Sequence, residues 1–182
     1  MTHSAISRRH AGVRLLAVFC LISPWSASQA QSVAPLVHEG TINAPVEKVW
    51  DAWATSEGLR SWLAPHAEID FRIAGLMRAN YNPDGTLGDG QTIENTILSY
   101  DPQKMISIRV SKAPDDFPFP GAIFDMWTII YFDSDGPERT KVRIVANGFS
   151  TGEESQAMRA FFDQGNEITL REMQERIGEA AP

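Results

Sequence analysis

Hydrophobic positions along this chain change their spacing several times, and each change marks an element. From Val46 the apolar residues fall at i, i+3, i+4 and i+7 (Val46, Val49, Trp50, Trp53), the stripe of a short helix. Pro45 presets the dihedral of its first turn, and Glu47 suits the positive end of the helix dipole. After Thr55-Ser56 a second, shorter helix repeats the pattern with Leu59, Trp62 and Leu63, and Pro65 stops it. The spacing then drops to two: residues 67–73 (AEIDFRI) alternate as a half-buried strand does. Residues 37–42, 76–81, 91–100, 104–112, 123–132 and 140–147 read as further strands, separated by Asn82-Pro83-Asp84-Gly85, Asp101-Pro102, the proline-rich residues 113–121, and residues 134–137. From about Ser155 to Ile177 the period is helical again. The order β-α-α-β-β-β-β-β-β-α predicts a meandering antiparallel sheet with one long helix packed on its concave face.

The amino terminus follows none of these periods. Arg8, Arg9 and Arg14 precede a continuous apolar run at residues 15–22 (LLAVFCLI), too short to span a bilayer, and Ser28-Gln29-Ala30 offers small residues where a signal peptidase reads. Residues 1–30 are therefore expected to be a cleaved signal peptide, with an uncleaved anchor as the alternative, and residues 31–36 a flexible lead. Ser7-Arg8-Arg9 leaves the choice between general and twin-arginine export open. The full chain has 182 residues and a net charge of −7. Loss of the leader removes three arginines and no acid, leaving 13 basic against 23 acidic residues, a net of −10. That balance disfavours nucleic acid and anionic membrane surfaces as partners. Cys20, the single cysteine, leaves with the leader, so the exported chain carries no disulfide or thiolate. A periplasmic or secreted protein of one domain with no stable membrane anchor is expected.

The last helix carries an interruption. Met158, Phe161 and Phe162 start an inward stripe, and Leu170, Met173 and Ile177 resume it, but Gly165, Asn166 and Thr169 stand between them. An interior glycine costs roughly 1 kcal/mol relative to alanine, and an unpaired buried amide about 1–3 kcal/mol. A gap plus a directional polar group inside apolar surroundings is the makeup of a small-molecule pocket. A structural role is equally open here, with Asn166 bonding a strand carbonyl and Gly165 letting the helix approach the sheet.

With these elements in order, the chain resembles the START-like helix-grip (SRPBCC) superfamily, and within it the group named for activators of the Hsp90 ATPase. The matching stretches are INAPVEKVWDAW, TSEGLRSWL, EIDFRIAG, SYDPQKMISIRV, the strand pair at residues 123–132 and 140–145 with Gly148-Phe149, and the closing helix, together about residues 37–178. Ala74 stands where the family usually has the first of two glycines. The resemblance implies an α+β helix-grip fold: a curved antiparallel sheet of six to seven strands wrapped on a long C-terminal helix, two short helices after strand 1, and a hydrophobic cavity between sheet and helix. The family hosts lipid carriers, cyclases, dehydratases and co-chaperone domains, so its fold does not fix its function. Hsp90 is an intracellular, ATP-driven chaperone, and an exported chain would not meet it.

Candidate chemistry is sparse. Only His38 and His66 remain after processing, neither with a second ligand at metal spacing, so no metal and no cofactor is expected. Asp84 and Asp89 read as solvated turn residues. His66, Asp70, Arg78, Glu94 and Asp125 are the residues that would serve acid–base chemistry if they faced a cavity, although Asp70 and Arg72 share a strand face and suit a structural pair. Alternation assigns apolar faces to Ile106, Ile108 and Val110, to Val142, Ile144 and Ala146, and to Phe124, Met126, Ile130 and Phe132 with Thr128 the single polar break. Trp127 and Tyr131 fall on the opposite face, and Trp50 and Trp53 are expected to anchor the helix pair to the sheet. The expected cavity lining is Trp62, Ile108, Met126, Thr128, Ile144, Phe161, Phe162, Gly165, Asn166 and Leu170, with Thr128 and Asn166 as the polar contacts. Phe117-Pro118-Phe119-Pro120 is either a lid over that cavity or a packed surface loop. The expected function is binding of a small hydrophobic or amphipathic molecule without clear catalytic residues. A cyclase-, dehydratase- or isomerase-type enzyme and a protein-interaction or co-chaperone-like module are the alternatives.

Overall fold

The computed structural model describes residues 33–178; the expected signal segment and residues 31, 32 and 179–182 lie outside them. Seven strands, β1 (Leu36–Ile42), β2 (His66–Ile69), β3 (Leu76–Asn80), β4 (Ile93–Asp101), β5 (Met105–Lys112), β6 (Trp127–Ser134) and β7 (Thr140–Asn147), form one curved sheet in the order β1-β7-β6-β5-β4-β3-β2, every neighbour antiparallel. The helices are α1 (Val46–Ala54), α2 (Ser56–Trp62) and α3 (Glu153–Arg176). The α+β helix-grip architecture expected from the sequence is thus present. Two register shifts along β4, at Glu94/Asn95 and Ile97/Ser99, bend the strand as bulges do and turn the sheet's inner face into a trough.

Two strand expectations are corrected. Residues 70–73 do not continue β2. They form a turn in which Arg72 N donates to Asp70 O (2.8 Å) and Gly75 N to Arg72 O (2.8 Å), which sends Phe71 inward onto Trp50 (ring centroids 5.4 Å apart). Residues 122–125 form a single 3-10 turn, closed by Met126 N donating to Ile123 O (3.3 Å), while Ile123 N reaches back to Phe119 O (3.2 Å) rather than to a strand. Phe124 therefore lies exposed and does not join the inner face of β6.

One side chain holds the α1–α2 junction. Thr55 Oγ1 donates to Asp51 O (2.8 Å), closing α1, and accepts from Gly58 N (2.9 Å), capping α2. Gly58 is required at this corner, since a Cβ there would stand 2.1 Å from Asp51 O. Trp62 Nε1 donates to Ala52 O (2.9 Å), so α2 also satisfies a terminal carbonyl of α1.

The interior falls into two apolar clusters. The first joins α1 and α2 to the sheet through Trp50, Trp53, Leu59, Ile97, Ile130, Phe132 and Val142, and to α3 through Leu170 and Met173. The second lies at the other end of α3, where Met158 meets Leu36, Ile123, Met126, Ala146 and Phe149. Helix α3 spans both, and Leu170 packs close over Gly40 of β1 (3.3 Å from the place of a Cβ). None of the helices among the described residues is long and apolar enough to cross a membrane.

The loop after β3 is a polar knot, not the solvated turn expected for Asp89. Buried Asn80 donates from Nδ2 to Asp89 Oδ1 (2.8 Å) and Thr86 O (3.1 Å) and accepts from Asn82 N (3.0 Å). Asp89 accepts from the backbone nitrogens of Thr86 (2.9 Å) and Gln91 (2.9 Å) and from Thr92 Oγ1 (3.2 Å). The backbone donors of Thr86 and Gln91, ahead of the Thr92 and Asn80 side chains, hold this carboxylate below its usual range.

Two outcomes are expected. Ala74 sits at φ 62°, a left-handed conformation that costs an L-residue roughly 1–2 kcal/mol. Ala74→Gly should therefore stabilise the domain by about 0.5–1 kcal/mol after the glycine's extra unfolded-state freedom is deducted. The change is read as a higher urea midpoint at unchanged slope. Ala74→Val should lower the midpoint. For Asp89, folding lowers the pKa, so its contribution is complete above the ordinary value of 3.8 and is lost as pH falls below it. Asp89→Asn should melt below wild type at about pH 6, and the two curves should converge as the pH drops through the acid range. A deficit that stayed constant with pH would contradict this role.

Candidate functional site

A cavity of about 180 Å³ lies in the trough between the two clusters. Its floor is the inner face of the sheet: Met77 and Ala79 of β3, Ile93 and Asn95 of β4, Ile108 and Val110 of β5, Thr128 and Ile130 of β6, and Ile144 of β7. Its roof is α3, which presents Phe162, Asn166 and Thr169 at helical spacing. Trp53 and Leu63 close one end. Ile123, Met126, Ala113, Pro114 and Phe117 close the other. The wall is thus apolar with four polar side chains, Asn95, Thr128, Asn166 and Thr169, besides Tyr81 at its edge.

Of the residues expected from the sequence, the structure brings together Ile108, Met126, Thr128, Ile144, Phe162 and Asn166. Four others stand elsewhere. Trp62 is buried in the first cluster, its ring 4.9 Å from that of Trp53, and it is Trp53 that reaches the cavity wall. Leu170 is spent on the contact with β1. Phe161 points away and is 49% exposed, its ring edge-on to Phe117 and Phe119 (both 5.8 Å). Gly165 borders open space, with no atom within 4 Å of where a Cβ would stand, so it is not there to let helix and sheet approach. Of the two roles open to the Phe117–Pro120 segment, Phe117 does reach the cavity, while Phe119 packs against the second cluster.

The missed residues lie on β3 and β4, where Met77, Ala79 and Tyr81, and again Ile93 and Asn95, alternate at period two. The same alternation that located the faces of β5 and β7 marks them. Trp53 carried no such signal, because its helical stripe is equally consistent with core packing alone.

The polar groups of the wall are unevenly satisfied. Thr169 Oγ1 donates to Gly165 O (2.9 Å) within its own helix. The Asn166 amide makes no hydrogen bond to any described residue, and its Nδ2 is buried. Trp53 Nε1 is likewise buried and without a partner. Among the five acid–base candidates, none reaches the wall. His66 Nε2 faces the Pro83 carbonyl at 3.0 Å and so carries the proton there. Asp70 pairs structurally with Arg72 (2.8 Å), within the turn after β2 rather than on a shared strand face. Arg78 bridges Glu68 (2.8 Å) and Glu94 (3.4 Å), and Asp125 is exposed on the 3-10 turn. Tyr81 is the one titratable residue in the wall. Desolvation by the surrounding protein raises its phenol above 10.0 although 54% of the residue remains exposed, so it enters the wall uncharged at neutral pH. No group of three His, Cys, Asp or Glu side chains capable of holding a metal ion occurs among the described residues.

The architecture is shared with solved proteins. The solution structure of the Aha1 dimer from Colwellia psychrerythraea superposes with a TM-score of 0.61 at 14% identity, covering 81% of this chain and 100% of that one. CalU16 from Micromonospora echinospora gives 0.57 at 19% identity over 81% of this chain and 77% of its own. Norcoclaurine synthase from Thalictrum flavum, solved in complex with dopamine and hydroxybenzaldehyde, gives 0.57 at 11% identity over 91% and 95%. At these identities the likeness is one of fold. No curated protein sequence matches the chain. The family described as "Activator of Hsp90 ATPase homolog 1-like protein" matches residues 43–178, from the turn before α1 to the end of α3. With sheet, helix pair and closing helix in that family's arrangement, the chain belongs to the activator of Hsp90 ATPase homolog 1-like group of the helix-grip (SRPBCC) superfamily.

Proposed function

We propose that this domain holds a small apolar molecule, or the apolar part of one, with an uncharged hydroxyl or carbonyl group turned toward Asn166 in the cavity beneath α3, and that it does so outside the cytoplasm once its leader is removed. The observation that carries this reading is Asn166, a buried amide with no partner among the described residues in a mostly apolar wall. Leaving it unpaired costs about 1–3 kcal/mol, and a leucine would fill the same place without that cost. A ligand's hydroxyl or carbonyl satisfies it, since an amide both donates and accepts. Trp53 Nε1 adds a second donor with no partner.

Size narrows the ligand. Drug-sized sites run to about 300–1,000 Å³, whereas an engineered apolar cavity of about 150 Å³ accepts benzene. At about 180 Å³ this cavity suits a single ring or a short chain. Norcoclaurine synthase, solved with two single-ring molecules, shows that a protein of this fold can hold molecules on that scale, which supports the reading by analogy of fold alone. Charge narrows what the cavity itself can take to uncharged groups, because no charged side chain reaches its wall and Tyr81 is the one titratable group there. That placement also favours holding a molecule over transferring its protons, since a general acid or base must come within hydrogen-bond reach of the reacting atom.

The test uses 2-phenylethanol, a one-ring alcohol. It should raise the melting temperature of the processed protein in proportion to the logarithm of its concentration. Asn166→Leu should bind it about fivefold more weakly, the loss of one hydrogen bond, while melting at or above the wild-type temperature without ligand. Absence of any shift in the wild type, or an Asn166→Leu protein that is less stable and binds as well, would overturn the reading.

A further inference from the structure

Outside the cavity, a second recess of about 510 Å³ runs between the end of α2 and the C-terminal half of α3. Leu63, Tyr81 and Thr169 line both spaces and so stand between the inner cavity and the recess. The two spaces differ in character. The inner one has no charged residue, whereas the recess holds Arg60, Arg176 and Glu172. In a chain of net charge −7 this is a locally positive place.

The two arginines are not equivalent. Arg176 is neutralised by Glu172, one turn back on α3. Arg60 is held by a single hydrogen bond from Nη1 to Ala67 O (2.9 Å), a neutral carbonyl, and it has no carboxylate partner among the described residues. A guanidinium carries five N–H donors in a fixed fork suited to a carboxylate. One of Arg60's is used to fix its position, and the remaining donors are left for something outside the protein. Trp62, Ala64 and Pro65 form an apolar shelf beside it.

We propose that the ligand is an amphipathic acid: its apolar part, with an uncharged hydroxyl or carbonyl at Asn166, occupies the inner cavity, and its carboxylate reaches past Leu63, Tyr81 and Thr169 to the guanidinium of Arg60. This rests on the reading that the inner cavity holds the apolar part, and it adds the head group that the cavity itself does not recognise. The division of labour follows from desolvation. A carboxylate is costly to bury in an uncharged apolar wall but keeps much of its hydration in the recess while pairing with Arg60.

4-Hydroxyphenylacetate and 2-(4-hydroxyphenyl)ethanol share a ring, a spacer and a phenol hydroxyl for Asn166, and differ only in the head group offered to Arg60. Calorimetric titration at low salt should show the acid bound about three- to fivefold more tightly than the alcohol by the wild type, the scale of a solvent-exposed ion pair. Added salt should erode that preference and leave the alcohol unaffected. Arg60→Gln should abolish the preference with alcohol binding intact, and Arg60→Lys should retain part of it, which separates charge from any loss of packing on α2. If the alcohol binds but the wild type shows no preference, or Arg60→Gln keeps it, the acid head group is wrong and the cavity reading stands. If neither molecule binds the wild type, the cavity reading itself fails and this inference with it.

Discussion

Helix α3 must satisfy two separate apolar clusters with one face, and the rest of the structure follows from how it does so. Met158 and Leu170, its anchors in the two clusters, are twelve residues apart, about 18 Å along a helix. The sheet bends beneath that span because β4 is bulged twice. A straight helix over a bent sheet touches at its ends and stands clear in the middle. Phe162, Asn166 and Thr169 occupy that middle, and the space under them is the cavity. It is therefore bounded by the two parts of the molecule that are best packed.

The fold was largely legible because its periods are clean. Residues 140–147 form a strand with the boundaries that alternation gives, and Thr140, Val142, Ile144 and Ala146 are all buried on one side. Reading failed where local chemistry overrode period. Residues 67–73 alternate throughout, yet the left-handed Ala74 and the turn at Asp70–Arg72 end the strand at Ile69. Phe124 alternates with Met126 and Thr128, but a 3-10 turn rotates it outward. In both cases the alternating pattern is real and the backbone hydrogen bonds go elsewhere.

The site was legible on the helix and on three strands, and less so elsewhere. Asn166 announced itself because an amide interrupts an apolar stripe, while Thr128 did so by interrupting an apolar strand face. Stripe position placed Trp62 at the cavity and Trp53 in the anchor of the helix pair, but both lie on inward stripes of short helices, and packing brings Trp53 to the open space. Phe161 and Phe162 differ by 100° of rotation, enough to place one in the wall and the other among exposed aromatics. Arg60 gave no sequence signal at all. Its significance depends on a recess formed by residues from α2, the loop after β3 and α3, which meet only in the folded chain.

Energetics give these details a common sense. An unfilled space under a helix forgoes the packing contacts that a filled core would make there. The unpaired amide of Asn166 adds to that cost. For a domain whose whole stability lies in the range of about 5–15 kcal/mol, such a deficit matters. It is carried by completeness elsewhere: Thr55 serves two helices, Trp62 caps a carbonyl, and Asp89 ties a whole loop. A ligand that filled the space and paired with Asn166 would recover the deficit on binding. The space under α3 is thus a place where an added molecule gains both packing and a hydrogen bond.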